Sequence, residues 1–396
     1  MTETVRNIPP GRYAPRLAAC REALAEHGFG ALLIGVGPDL RYLTGFVGEP
    51  MERLTLLVIP RQGPVSFVVP RLEAQKARTT PLAAGGHAEV VPFEETDDAP
   101  AMVARLLAAS DSGARAGQPV GLSDPQPVGV SDRLWAMHVL QMQAALPGRR
   151  FKPAGLAMRD LRQVKDADEA SLLGLAAAAA DRTIDAIAGG RLVGRTEAEV
   201  AREIQRRLID EGHDLADFAI VGSGPNGASP HHDASERVIA AGEPVVLDIG
   251  GSLAGYVSDT TRTVWVAGEV GIQPEAEFRR VFELVGEAQA QATAAVAPGV
   301  PCEQIDAIAR RVIAAGGYDE YFTHRVGHGI GLEVHEDPYM VVGNATPLQP
   351  GMAFSVEPGI YLPGRWGVRL ENIVMCGAGG PEVLNRSSLD LRVVLG

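Results

Sequence analysis

Cysteine is scarce. Three occur in 396 residues, Cys20, Cys302 and Cys376, and no two stand at a spacing that ligates a metal or cycles between redox states. A disulfide scaffold is therefore not the organising device, and a reducing cytoplasm is the expected compartment. Positive charge is also short: 36 Lys and Arg against 49 Asp and Glu leave a net −13. Nucleic acid is not an expected partner, because phosphate binding needs clustered basic side chains. Long hydrophobic runs are missing too. The apolar stretch 172–180 falls far short of the ~20 residues a spanning helix needs, and Asp181-Arg182 ends it. The opening residues, MTETVRNIPPGRY, hold no apolar signal core. These absences predict a soluble cytoplasmic protein with neither a membrane nor a nucleic-acid partner.

What remains suffices for a large core. The chain is 46% hydrophobic, and its length predicts two domains. Residues 1–160 alternate helical and strand patterns, which predicts an N-terminal α/β domain. The periodicity places helices at 16–27, 101–109 and 131–143 and strands at 31–35, 54–60 and 64–69. The stretch 113–127 reads as a loop. A basic polar segment, 159–165, leads into a long Ala-rich helix over 167–188, so the boundary is expected near 150–165, with a second domain over 161–396.

In that second domain, Thr196-Glu-Ala-Glu199 is a capping-box signature for a helix closed by Gly212. Strands are expected at 218–222, 244–249 and 261–266, then helices at 275–297 and 303–315. Strands follow at 352–357, 367–374 and 382–384. The helix after Gly299-Val-Pro echoes the one after Gly194-Arg-Thr, a weak internal repeat on the order of 105 residues in period.

The informative feature is where charge sits. Asp248, Glu357 and Glu371 each lie in an apolar strand-like run, where an unpaired carboxylate costs several kcal/mol. Singly, each has a bland reading: Asp248 as a turn cap, Glu371 as a partner of Arg369. Together with Asp259 and the histidines they do not. Six of nine histidines fall between 213 and 335, and His328 lies in Gly327-His-Gly-Ile-Gly331, where glycines let the backbone approach another group. Ten residues separate Asp248 from Asp259, a spacing that suits a hairpin holding both carboxylates side by side. Four carboxylates and one imidazole suit a pair of Mn, Co, Fe or Zn ions better than a thiolate zinc site. Two such ions about 3.5–4 Å apart can hold a bridging hydroxide and polarise a carbonyl.

The ordered set Asp248, Asp259, His328, Glu357 and Glu371 resembles the five metal ligands of the pita-bread metallopeptidases. The surrounding words match too: Gly224-Pro-Asn-Gly-Ala-Ser-Pro-His-His232, Leu247-Asp-Ile-Gly-Gly, Ser258-Asp-Thr-Thr-Arg, Gly327-His-Gly-Ile-Gly-Leu-Glu-Val-His-Glu336, Val356-Glu-Pro-Gly-Ile-Tyr361 and Gly367-Val-Arg-Leu-Glu-Asn372. Within that group the chain resembles the Xaa-Pro peptidases, prolidase and aminopeptidase P. The resemblance implies an α/β (α+β) fold class: a pseudo-twofold pita-bread catalytic domain after a creatinase-like, non-catalytic N-terminal domain. It also implies a homodimer, two divalent ions (Mn, Co or Zn) and a proline-containing peptide substrate. Asp259 would bind one ion with both oxygens, Asp248 and Glu371 would bridge the pair, and His328 and Glu357 would complete it. Glu357 would also take the proton of the attacking water.

By the same resemblance, His231, His335 and His324 face the substrate, the first two stabilising charge on the tetrahedral intermediate. Tyr361 and Arg369 stand close to the metals. Arg369 shares a strand face with Glu371 and would orient it. One departure stands out. Typical prolidases carry an Arg a few residues after the histidine of Val-His-Glu, and this chain has Tyr339 there. An N-terminal Arg, Arg41 or Arg53, could bind the substrate carboxylate instead. The leading expectation is an Xaa-Pro dipeptidase cutting before a penultimate proline, whose bond lacks the N–H that ordinary peptidases use. Aminopeptidase P activity on longer peptides is the alternative. Methionine aminopeptidase, creatine hydrolysis and an inactive binding relative fit less well, given the N-terminal domain, His324 and the intact ligand set.

Overall fold

Short buried strands build the N-terminal half: β1 (Ala31–Gly35), β2 (Leu56–Pro60), β3 (Ser66–Pro70), β4 (Glu89–Phe93), β5 (Val128–Val130) and β6 (Phe151–Pro153). They form one sheet in the order β4-β3-β2-β1-β5-β6, antiparallel where β2 meets β1 and β3 and parallel elsewhere. Every residue of β1, β2 and β3 is buried, as continuous apolar runs are when both sheet faces are covered. The covering helices are α1 (Tyr13–Glu26), α2 (Pro38–Thr44), α3 (Ala74–Arg78), α4 (Pro81–Ala84), α5 (Ala99–Gly113), α6 (Ala136–Ala145) and α7 (Gly155–Arg162). Leu33, Leu56, Val58 and Val68 meet Val103 and Leu107 in one core. The helix expected over 131–143 starts only at Ala136. Ser131 is diverted: its Oγ accepts from Gly35 N at the end of β1, and its carbonyl accepts from Leu134 N in a turn.

This computed structural model describes residues 7–113 and 126–395. The loop expected over 113–127 lies almost wholly outside the described residues. The chain divides into two units, Pro9–Arg162 and Gln163–Gly396, the second joined by Asn7 and Ile8. Ile8 packs into the second unit beside the cluster of Leu172, Leu173 and Tyr256. Among the described residues no helix is long and apolar enough to cross a membrane. All three cysteines are buried and unpaired.

The second unit repeats one order of elements. In its first half, α8 (Ala167–Ala188) and α9 (Glu197–Asp210) precede β7 (Leu215–Ser223), β8 (Glu243–Leu253), β9 (Tyr256–Val257) and β10 (Thr260–Val266). In its second, α10 (Ala276–Ala294) and α11 (Cys302–Ala315) precede β11 (Gly327–Gly329), β12 (Glu336–Met340), β13 (Ala353–Val356), β14 (Gly359–Leu362), β15 (Trp366–Arg369), β16 (Asn372–Gly377), β17 (Gly380–Val383) and β18 (Val393–Val394). The first sheet runs β18-β10-β8-β7, with β9 paired to β8, and the second runs β12-β11-β13-β16-β17. The capping box at Thr196 forms as the spacing predicts, and Asp166 with Glu169 makes a second one at α8.

Each sheet is oiled on its helix-covered face. Val245, Leu247, Ile249, Val264 and Val266 pack with Ile184, Val200, Ile204 and Leu208. Phe354, Val356, Val368 and Val374 pack with Phe278, Val281, Val285, Ile305 and Ile313. Phe278 is fully buried, 5.0 Å from Trp265 and 5.2 Å from Trp366 between ring centroids. Truncating it leaves a cavity the backbone cannot close. Phe278→Ala is expected to cost about 3–5 kcal/mol, read as a lowered denaturant midpoint of the full chain.

Candidate metal centre

Strand alternation delivers the polar side chains. In β8, Leu247 and Ile249 face the helices, so Asp248 between them faces away. In β10, Val264 and Val266 face the helices, while Thr261 and Thr263 take the other side with Asp248, which pairs with Thr261 in register. In β13, Phe354 and Val356 face the core, leaving Ser355 and then Glu357 on the opposite face. The pattern holds again at Trp366, Val368 and Leu370 against Arg369 and Glu371.

The strand expected over 367–374 is in fact broken. β15 pairs with β14, β16 pairs with β13, and Glu371 occupies the step between them. Its backbone N donates to Thr261 O of the other sheet, 3.1 Å away. Glycine at 327 lets β11 slot against β13: a Cβ there would overlap the Ser355 carbonyl oxygen.

Asp259, His328 and Glu371 each offer one ligand atom, and the three atoms lie within 4.8 Å of one another. His328 Nε2 is 3.6 Å from Asp259 Oδ2 and 3.2 Å from Glu357 Oε1. Asp248, Asp259, His328 and Glu371 are all buried. Burial and then the neighbouring carboxylates push Asp259 and Glu371 far above the usual carboxylate range. Burial would raise Glu357 as well, but the hydrogen bond and charge of His328 outweigh it and hold Glu357 low. Asp248 Oδ1 and Glu371 Oε1 are buried without a hydrogen-bond partner. Their other oxygens are held, by Arg369 Nη2 and by Thr261 Oγ1 at 2.7 Å. Orphaned carboxylate oxygens beside an imidazole are what divalent cations satisfy, and an all-oxygen-and-nitrogen donor set is of the right type. The residues present fit metal ions.

A hydrogen-bonded line backs the cluster. Arg369 is buried, and it pairs with Asp248 rather than Glu371. It donates from Nε to Thr261 Oγ1 at 3.0 Å and from Nη1 to the Tyr361 hydroxyl at 2.9 Å and Pro230 O at 3.3 Å. His324 Nδ1 meets Arg325 O at 2.7 Å, so it carries the proton, and Nε2 accepts from the Tyr361 hydroxyl at 2.8 Å. Burial lowers the His324 pKa and raises that of Tyr361 to about 12. His335 stands edge-on to His328, ring centroids 4.1 Å apart. Burial, then the neighbouring His328 and Arg325, lower its pKa to about 4. The five expected ligands, His231, His324, His335 and Arg369 line one cavity of about 540 Å³, with Phe218, Ile220, Val334 and Val341 as its apolar wall.

The remaining expected residues lie elsewhere. Tyr361 is buried behind Arg369, and Tyr339 pairs with His328 across β11 and β12 without lining the cavity. Arg41 sits in α2 and Arg53 lies 3.3 Å from Glu95 Oε1, both in the N-terminal unit.

Sequence reasoning passed over Glu197. The capping box drew notice to Glu199, yet the fully buried Glu197 beside it anchors the loop that bears His231. Its carboxylate accepts from Ser223 N and Oγ, Asn226 Nδ2, Ser235 N and Oγ, and His232 Nε2 at 2.8 Å. The second histidine of the His231-His232 pair is thus tied down, which leaves His231 for the cavity.

Two family models match. Residues 171–378 match metallopeptidase family M24, and residues 16–164 match the creatinase/prolidase N-terminal domain. The chain belongs to metallopeptidase family M24 and carries its pita-bread fold behind a creatinase-type domain. It is 42% identical to the probable dipeptidase PepE of Mycobacterium tuberculosis over 383 residues, 96% of each chain. Among solved structures, dipeptidase PepE from Mycobacterium ulcerans matches at 41% identity and TM-score 0.89, covering 98% of this chain and 100% of that one. A prolidase from Thermococcus sibiricus matches at 34% and 0.86, covering 97% and 99%. The chain is a metal-dependent peptidase, as its five-ligand pattern predicted.

Burial alone would raise the Glu197 pKa, but hydrogen bonds from Ser223, Ser235 and His232 bring it down from 4.5 to about 2. A carboxyl depressed on folding stabilises the native state above its unfolded pKa, and that contribution is lost as pH falls from about 4.5 towards 2. Glu197→Gln is expected to lower the melting temperature at pH 7 and to flatten its fall between pH 5 and pH 3. An unaltered acid slope would show that the network does not depend on this charge.

Proposed function

We propose that the chain is a dinuclear metal-dependent Xaa-Pro dipeptidase, cutting the bond before a proline at the second position. One observation carries the reading: a buried carboxylate–imidazole cluster with two orphaned oxygens shares a cavity with free-standing histidines and an apolar wall. Asp248, Asp259, His328, Glu357 and Glu371 would hold two ions, of which Mn, Co and Zn all suit the donors. Bound there, the ions would polarise the scissile carbonyl and acidify water.

The chain's own groups do the rest. Glu357, kept ionised by His328, takes the proton of the attacking water on a carboxylate oxygen and passes it to the departing proline nitrogen. His335, neutral at physiological pH, donates an N–H to the carbonyl oxygen as charge develops there, and His231 lines the same cavity. His324 cannot act directly, since both its ring nitrogens are engaged. It positions Tyr361, which braces Arg369 against Asp248. Phe218, Ile220, Val334 and Val341 offer the proline ring an apolar seat. Similarity to a prolidase and to proteins named dipeptidase supports short substrates. A cytoplasmic homodimer completes the proposal; sedimentation velocity reads the dimer.

Two measurements test this reading. Metal analysis after loading should find two ions per chain, and chelation should abolish hydrolysis of Ala-Pro until Mn²⁺ is restored; a chain that retains no Mn, Co or Zn sinks the proposal. Ala-Pro should be cut faster than Ala-Pro-Ala, and the reverse preference would make it an aminopeptidase. Glu357→Gln is expected to lower kcat by about 10²- to 10⁴-fold.

A further inference from the structure

Glu371 stands where the sheets give it no support. β15 ends at Arg369 against β14, β16 begins at Asn372 against β13, and neither ladder takes in the residue between. A group in a metal site works only when held to within about 0.5 Å. The hold on this one comes from β10 and from a segment further along the chain, 385–388. We propose that this segment, acting through Asn385 and Arg262, positions Glu371 to complete the metal centre. The proposal deepens the reading above and rests on its metal-binding part.

Three consecutive residues are gripped from outside. Arg262 donates from Nη1 to Glu371 O and from Nη2 to Asn372 Oδ1 at 2.8 Å. The side-chain oxygen of Asn385 accepts from Ile373 N at 2.8 Å. Both grips are themselves fixed. Arg262 also donates from Nη1 to Thr261 O at 2.8 Å, from Nη2 to Ser387 O at 2.8 Å and from Nε to Ser388 O at 3.0 Å. All five N–H donors of the guanidinium are thereby used, and they join β10, the step at Glu371 and residues 387–388 into one unit. Asn385 Nδ2 donates to Asp181 Oδ1 at 3.0 Å and to Thr260 Oγ1 at 2.8 Å. Arg386 N donates to Asp181 Oδ2, and Ser387 Oγ donates to Asp185 Oδ1 at 2.7 Å. Arg262, Asn385, Ser387 and Asp181 are all buried.

The hold bears on the ions because of what it refers Glu371 to. Thr261 Oγ1 takes one carboxylate oxygen, Thr261 O takes the backbone N–H, and Arg262 takes the backbone oxygen. These two residues follow Asp259 in β10. Arg262 therefore sets where Glu371 lies against Asp259, the carboxylate that shares its group of ligand atoms. Two buried carboxylates that close repel each other, and an unpaired step would yield to that force. A buried network in which every donor is satisfied resists it. Neither Arg262 nor residues 385–388 line the cavity of the metal cluster. They are positioning residues, acting only through Glu371.

The test is an equilibrium titration with Mn²⁺ and Co²⁺ against a competing chelator, which reads the affinity of each ion. It compares the full native chain with Asn385→Ala, Arg262→Gln, Arg262→Lys and, as a control on the same segment, Arg392→Ala. Arg392 ties Ser387 to Asp185 and touches none of residues 371–373. Asn385→Ala and Arg262→Gln should each weaken the looser ion roughly 10- to 100-fold, at a temperature where circular dichroism matches the native chain. Arg262→Lys should weaken it less, and Arg392→Ala should bind as the native chain does. If Arg262→Gln fails to fold, Asn385→Ala and Arg262→Lys decide by the same titration. Native affinity in the folded variants overturns the proposal, and so does an equal loss in Arg392→Ala. A native chain that takes up one ion removes the dinuclear count alone, and the affinity of that ion still judges Asn385 and Arg262. A native chain that takes up no ion removes both.

Discussion

Four carboxylates converge on one buried volume, and their mutual repulsion is the constraint on which the rest of the second unit depends. Left to themselves, Asp259 and Glu371 retain protons far above the usual range. Only positive charge lets such a cluster ionise. The chain supplies part of it through Arg369, buried and bonded to Asp248, and leaves two oxygens unsatisfied for ions to take up. The flanking threonines, the Tyr361–His324 line and the helix-backed sheets all serve to hold those charges at fixed separation.

How much of this the sequence disclosed depends on the residue. Alternation of apolar and polar positions made β8, β10 and β13 visible, and with them the faces of Asp248 and Glu357. The carboxylate cluster was legible because carboxylates in apolar strands are costly enough to demand a reason. Short strands were not. β11 is three residues, mostly glycine, and is a strand only because β12 and β13 flank it. The break at Glu371 was equally hidden, since 367–374 reads as one continuous run; what divides it is a hydrogen bond to Thr261, more than a hundred residues earlier. The start of α6 was misread for a related reason, because Ser131 answers to β1 rather than to its own neighbours.

Glu197 illustrates a further limit. A capping box accounts for one glutamate and hides the other, whose meaning lies in partners at 223, 226, 232 and 235.

The broken strand at Glu371 bears on when this protein becomes able to cut. Asp248 and Asp259 belong to the first sheet and its connection, whereas His328, Glu357 and Glu371 come from the second half. Glu371 lies near the end of the chain, in a step that exists only when β16 has docked on β13. A chain emerging from the ribosome therefore carries Asp248 and Asp259 well before Glu371. On the proposed ligand set, the metal centre would be complete only once β16 has paired with β13.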